Sequence, residues 1–358
     1  MKPTQALHDL GQSLWIDDIT RDMLDSGTLK KYIDEFSVTG LTSNPTIFDN
    51  AISKSNTYDP EIKRLMKAGF SGEALFFELA LQDLSRAADL FLPIHQRTAT
   101  VDGFVSLEVS PLLAYDTQAT IAEAKRLYAR AHKPNLFIKI PGTKEGLPAI
   151  EEAIASGVTV NVTLLFSSDD CKAAADAYMK GLERRVAAGL DPDVRSVASI
   201  FISRWDKAVM DKVPDALRDK IGIAVAHEAY RDYRTMLDSD RWQRLASLGA
   251  RPQRLLFAST STKDPRAPDT LYIGGLAAPN TVNTMPDKTL LAFADHGKLD
   301  GTLSPDGGDC EDVFAAYEKA GISVAALATQ LQKEGAASFV SSWQDLLKSI
   351  DTKSKALN

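Results

Sequence analysis

Along this chain short runs of β-forming residues alternate apolar and polar positions, and longer stretches with apolar residues every three or four positions separate them. Alternation predicts strands at 13–19, 37–43, 104–110, 135–142, 159–166, 195–203 and 254–260, with an eighth at 270–276. In the third, Val105, Leu107 and Val109 share one parity and Ser106, Glu108 and Ser110 the other. The fifth and sixth repeat the arrangement: Val160, Val162 and Leu164 oppose Thr159, Asn161 and Thr163, and Ala198, Ile200 and Ile202 oppose Ser199, Phe201 and Ser203. Helix signals fill the gaps. Thr20 reads as an N-cap, the 167–170 run as another, and Gly157 as a helix stop. Pro45 closes the second strand and leaves Asn44 at its C-terminal end. From 61 to about 94 one helical stretch places Ala74, Phe77, Leu81, Leu84, Ala88 and Phe91 on a packing face, and residues after about 287 read mainly as helix with a loop at 297–308.

About eight strands alternating with helices predict a parallel sheet and, at that number, a closed (β/α)8 TIM barrel. The 358 residues, 44% hydrophobic and 25% charged, suit one such domain over 1–358 with extra helices at each end. A net charge of −7 argues against general nucleic-acid binding and favours a small partner. Cys171 and Cys310 are too few for a disulfide framework and match no zinc spacing. The N-terminus lacks a signal-like apolar run and no run of about 18 apolar residues occurs, so the expectation is a soluble, cytoplasmic protein without a membrane contact. Oligomeric state is open at this level.

Candidate chemistry enters through Lys139, which shares a face with Phe137 inside an otherwise apolar strand. An amine flanked by apolar side chains loses hydration, and a neutral amine attacks carbonyls; the competing reading is an edge-strand or snorkelling lysine. Other strands put polar groups of one parity near their C-terminal ends: Asp17, Thr42 with Asn44 beyond it, Glu108, Asn161 with Thr163, Ser199 and Ser259. Barrels build active sites at those ends. The types suit imine chemistry, with Lys139 as nucleophile, Glu108 and Thr163 holding a proton-moving water, and Asp17 accepting the proton of the hydroxyl whose C–C bond breaks. Asn44, Asn161 and Ser199 would bind sugar hydroxyls. Arg204 is a candidate phosphate fork, with an ion pair to Asp206 as its rival reading.

On the motifs at 42–46, 106–109, 137–141, 161–167 and 199–204 the chain resembles the transaldolases, Schiff-base transferases of the pentose phosphate pathway. The resemblance spans essentially the whole chain, and the extended C-terminal helices look like the bacterial and plant-type branch. It implies that Lys139 forms the imine, that Asp17, Glu108 and Thr163 are the acid/base group with its water, that Asn44, Asn161 and Ser199 bind the dihydroxyacetone unit, that Phe201 shapes the site and that Arg204 binds phosphate. It implies transfer of that unit from sedoheptulose 7-phosphate to glyceraldehyde 3-phosphate, giving erythrose 4-phosphate and fructose 6-phosphate, with no cofactor; separately, the five histidines show no ligand spacing, so no metal site is expected. One departure stands out. The family pattern places a phosphate-binding arginine two residues after the seventh-strand serine, whereas here Thr260 and Ser261 follow Ser259, so Ser259 with Lys263 takes that part. An aldolase that releases the ketone, or an inert barrel that only binds sugar phosphate, are the rivals. Lys139 with Glu108, Thr163 and Asp17 separates an enzyme from a binder.

Overall fold

The computed structural model describes residues 1–357, so Asn358 lies outside the described residues. Eight parallel strands pair in chain order and the last closes on the first: β1 (Gln12–Ile16), β2 (Val38–Leu41), β3 (Val105–Glu108), β4 (Leu136–Pro141), β5 (Val160–Leu165), β6 (Ser196–Phe201), β7 (Arg254–Ala258) and β8 (Thr281–Met285). The closed (β/α)8 barrel expected from alternation is present, and every residue of β1 to β6 is buried. The first seven strands are two or three residues shorter than alternation suggested because their ends leave the ladder. The N-terminal end of the barrel is plugged by Phe104 stacked on Phe137, ring centroids 4.1 Å apart, and by the Trp15 indole donating to Asp102 at 2.8 Å.

The eighth strand is not where the sequence suggested. Residues at 270–276 instead contain the short helix Leu271–Gly275, where a Cβ on Gly274 would stand 2.7 Å from the Lys298 carbonyl oxygen. This is a close backbone approach that glycine permits. The true β8, Thr-Val-Asn-Thr-Met, offers no apolar alternation because its polar side chains are satisfied by hydrogen bonds. Gln12 donates to the Thr281 hydroxyl at 2.9 Å, Thr260 to Asn283 Oδ1 at 2.9 Å, and the hydroxyls of Thr42 and Thr284 lie 2.7 Å apart. A second difference is local: the helical stretch from 61 is two helices, Asp59–Lys67 and Gly72–Arg97, separated at Gly69, whose φ of +89° suits glycine.

Both N-caps expected of the sequence form. Thr20 accepts from the Met23 amide, and Ser167 with Asp170 builds a capping box on the helix Ser168–Ala187.

After β8 the chain returns over the barrel. The helix Val324–Leu357 is anchored by Trp343, buried edge-on against Phe76 with ring centroids 5.1 Å apart. A fully buried ring of this size contributes about 2–3 kcal/mol of docking free energy. Nearer its start, Gln332 donates to the Leu164 carbonyl at 3.1 Å, so the helix touches the C-terminal end of β5. Among the described residues no helix is long and apolar enough to cross a membrane.

Candidate active site

Strand register sets the centre of the site. Glu108 on β3 pairs with Lys139 on β4, and Lys139 pairs with Asn161 on β5, so three polar side chains stand side by side on neighbouring strands. Lys139 Nζ lies 3.3 Å from Glu108 Oε2 and donates to the Ser43 carbonyl at 3.2 Å. Both side chains are almost wholly removed from water, at 6% and 4% exposure. Burial raises the Glu108 pKa to about 6 against the opposing pull of Lys139. A carboxyl in that range can both give and take a proton near neutral pH.

The Glu108 oxygens and the Thr163 hydroxyl are buried without an aligned hydrogen-bond partner, which is costly unless a small polar molecule satisfies them. Asn161 lies between two hydroxyls, donating to Ser106 at 3.1 Å and accepting from Ser199 at 2.7 Å. Asp17 follows β1 and accepts from Thr42 at 2.8 Å; burial, more than the opposing Lys139, holds its pKa above the usual carboxylate value. Asn44 caps the helix Pro45–Lys54 through its Oδ1, 3.1 Å from the Ile47 amide. Its amide hydrogens are the part left for a ligand.

A cavity of about 320 Å³ joins these groups at the C-terminal ends of the strands, lined by Asp17, Asn44, Lys139, Thr163, Ser199, Phe201, Arg204, Ser259 and Lys263. Glu108 and Asn161 stand just behind it, in contact with Lys139 and Ser199. All eleven side chains singled out from the sequence thus converge on one place. Cavities of about 800 Å³ beside the helix Leu271–Gly275 and about 470 Å³ between the helices Ser168–Ala187 and Ile221–Leu237 are larger but contain none of them.

Residues 14–350 match the family model described as Transaldolase/Fructose-6-phosphate aldolase. The chain belongs to this family. It is 46% identical to the transaldolase of Parafrankia sp. (strain EAN1pec), covering 98% of this chain and 97% of that protein. It is 45% identical to the transaldolase of Thermobifida fusca, with 97% of each covered, and 44% identical to Transaldolase 2 of Streptomyces coelicolor, with 99% and 97% covered.

In this transaldolase-family barrel the rim beyond β6 and β7 is cationic. The Arg204 guanidinium lies over the rings of Phe201 and Phe339, 5.2 Å and 5.9 Å from their centroids, and forms no ion pair among the described residues. The rival pairing with Asp206 fails: that carboxylate is buried below, accepting from the Tyr272 hydroxyl at 2.7 Å and the Gly222 amide at 3.2 Å. Lys263 stands at the exposed edge, its pKa lowered by partial desolvation and then by Lys207 and Arg204. Ser259 adopts a left-handed φ of +54°, and its hydroxyl lies 2.9 Å from that of Ser203. This backbone kink ends β7 and directs the chain to Ser261 and Lys263.

Sequence reasoning did not find the contributions of the long C-terminal helix. Ser338 and Phe339 line the cavity although no strand pattern includes them, and Asn50 reaches it from the helix Pro45–Lys54. The alternating pattern could not reveal a group delivered by a helix crossing the barrel mouth.

Proposed function

We propose that this chain, as one barrel domain over 1–358, acts as a transaldolase, with Lys139 as the imine-forming lysine. The observation that carries the residue assignment is the buried Lys139–Glu108 pair, 3.3 Å apart, at the floor of a polar cavity. Proton transfer within that pair gives a neutral amine and a protonated carboxyl, the two forms required for attack on a ketone.

The ketose carbonyl at C2 condenses with Lys139 and water leaves, with Glu108 and Thr163 handling the proton. Asp17 then takes the proton of the C4 hydroxyl, the C3–C4 bond breaks, C4 departs as an aldehyde and the electron pair remains on the lysine-bound fragment as an enamine. Addition of that enamine to an acceptor aldehyde returns the proton from Asp17 to the new C4 hydroxyl, and hydrolysis of the product imine by water releases the ketose and frees Lys139. Sedoheptulose 7-phosphate as donor and glyceraldehyde 3-phosphate as acceptor give erythrose 4-phosphate and fructose 6-phosphate. Asn44, Asn161 and Ser199 bind the three-carbon unit, Phe201 walls it, and Arg204 with Ser259 and Lys263 holds the phosphate, placing two cations where the family pattern has two arginines. Such soluble sugar phosphates fit a cytoplasmic enzyme.

The test is borohydride reduction in the presence of fructose 6-phosphate, followed by peptide mass mapping. Irreversible inactivation with a three-carbon adduct on Lys139 is expected. Normal turnover after reduction, or an adduct on another lysine, overturns the assignment.

A further inference from the structure

Enamine chemistry offers two exits, and one residue outside the strand-borne set is placed to choose between them. The enamine carbon either bonds to the acceptor aldehyde, which is transfer, or takes a proton from water. In the second case hydrolysis of the imine returns the lysine and frees dihydroxyacetone, consuming the water released when the imine formed. The two exits differ in access of water to the lysine-bound carbon.

Phe339 is 6% exposed, with its ring centroid 5.7 Å from Lys139 Nζ, 5.9 Å from Arg204 Cζ and 6.3 Å from the Phe201 ring. It therefore spans the space between the amine and the phosphate-side cation. Its position is fixed from behind. A Cβ on Gly335, one turn earlier, would meet Leu164 at 3.1 Å, Phe166 at 3.2 Å and the Arg204 guanidinium at 3.3 Å, so the helix lies directly against the strand ends. Gln332 ties the same face to the Leu164 carbonyl. A phenyl ring has no hydrogen-bonding group to offer a sugar; what it supplies here is an apolar cover and a face for the guanidinium.

We propose that Phe339 is a specificity-determining residue that shields the lysine-bound enamine from water and so commits it to transfer rather than release. This rests on the imine reading above. Closing a site protects reactive intermediates from hydrolysis, and opening it should cost that protection first.

The experiment compares the wild-type enzyme with Phe339→Leu and Phe339→Ala. Each is supplied with fructose 6-phosphate, with and without erythrose 4-phosphate as acceptor, and the ratio of dihydroxyacetone released to unit transferred is measured. Because both products arise from one enamine, loss of folded enzyme cancels in this ratio. Phe339→Ala should raise it about tenfold or more, with Phe339→Leu between, while borohydride still traps an adduct on Lys139 in all three. An unchanged ratio with normal trapping overturns the role of Phe339 and leaves the imine reading intact. Failure of the wild type to trap an adduct on Lys139 overturns that reading and the inference with it.

Discussion

Replacing Lys139 with methionine should leave Glu108 protonated at pH 7. In the wild type two influences oppose each other at this carboxyl, burial pushing its pKa up and the lysine pulling it down, and burial wins to give about 6. Two unit charges separated by the 3.3 Å between Nζ and Oε2 attract by about 5 kcal/mol at an effective dielectric of about 20. Raising a carboxyl from about 6 to above 7 requires only about 1.4 kcal/mol. Even a third of the lost attraction suffices, because methionine fills the space of the lysine stem and keeps water out. The assay is carbon-13 NMR of glutamate-labelled protein, with the Glu108 signal assigned by its loss in Glu108→Gln. At pH 7 the signal should sit at the carboxylate position in the wild type and at the protonated position in Lys139→Met. A carboxylate signal in the variant at pH 7 would refute the reasoning, since it would mean that burial is not what holds this group high.

Two further perturbations probe the rim and the support beneath it. Arg204→Ala should raise KM for fructose 6-phosphate about 10- to 100-fold, the worth of a charged hydrogen-bonding pair, while leaving borohydride trapping of unphosphorylated dihydroxyacetone unchanged; an equal loss with both would remove Arg204 from phosphate binding. Asp206→Asn keeps an acceptor for Tyr272 and Gly222 but removes a carboxyl that burial raises from 3.8 to about 6. The folded wild type binds this proton more tightly than the unfolded chain, so the associated stability is present below pH 3.8 and is lost as pH rises through about 6. The variant has no such loss. Urea unfolding should therefore show the stability difference moving in its favour by up to about 3 kcal/mol between pH 3.5 and 7, and a difference that does not change with pH would count against a raised Asp206.

The barrel was legible because seven strands keep apolar residues on one parity, and the centre of the site because the other parity carries Glu108, Lys139, Asn161 and Ser199. Register, which aligns the first three side by side, follows from that pattern once the barrel closes. The eighth strand was hidden for a definite reason: Thr281, Asn283 and Thr284 are stabilised by partners on other strands and loops, which composition cannot display. The kink at Ser259 belongs to a residue type that seldom adopts a left-handed backbone, and nothing local announces it. Phe339 is the extreme case, since its meeting with Lys139 depends on how a helix some two hundred positions later in the chain lies across the barrel mouth.

That crossing helix also gives the enzyme an order of assembly. The strand that closes the barrel ends at Met285, whereas Ser338 and Phe339 belong to a helix that begins at Val324. During synthesis all eight strands and the lysine are therefore made before the segment that roofs them. The cover over the lysine is thus the last part of the chain to be made, and it is in place only once Trp343 seats against Phe76.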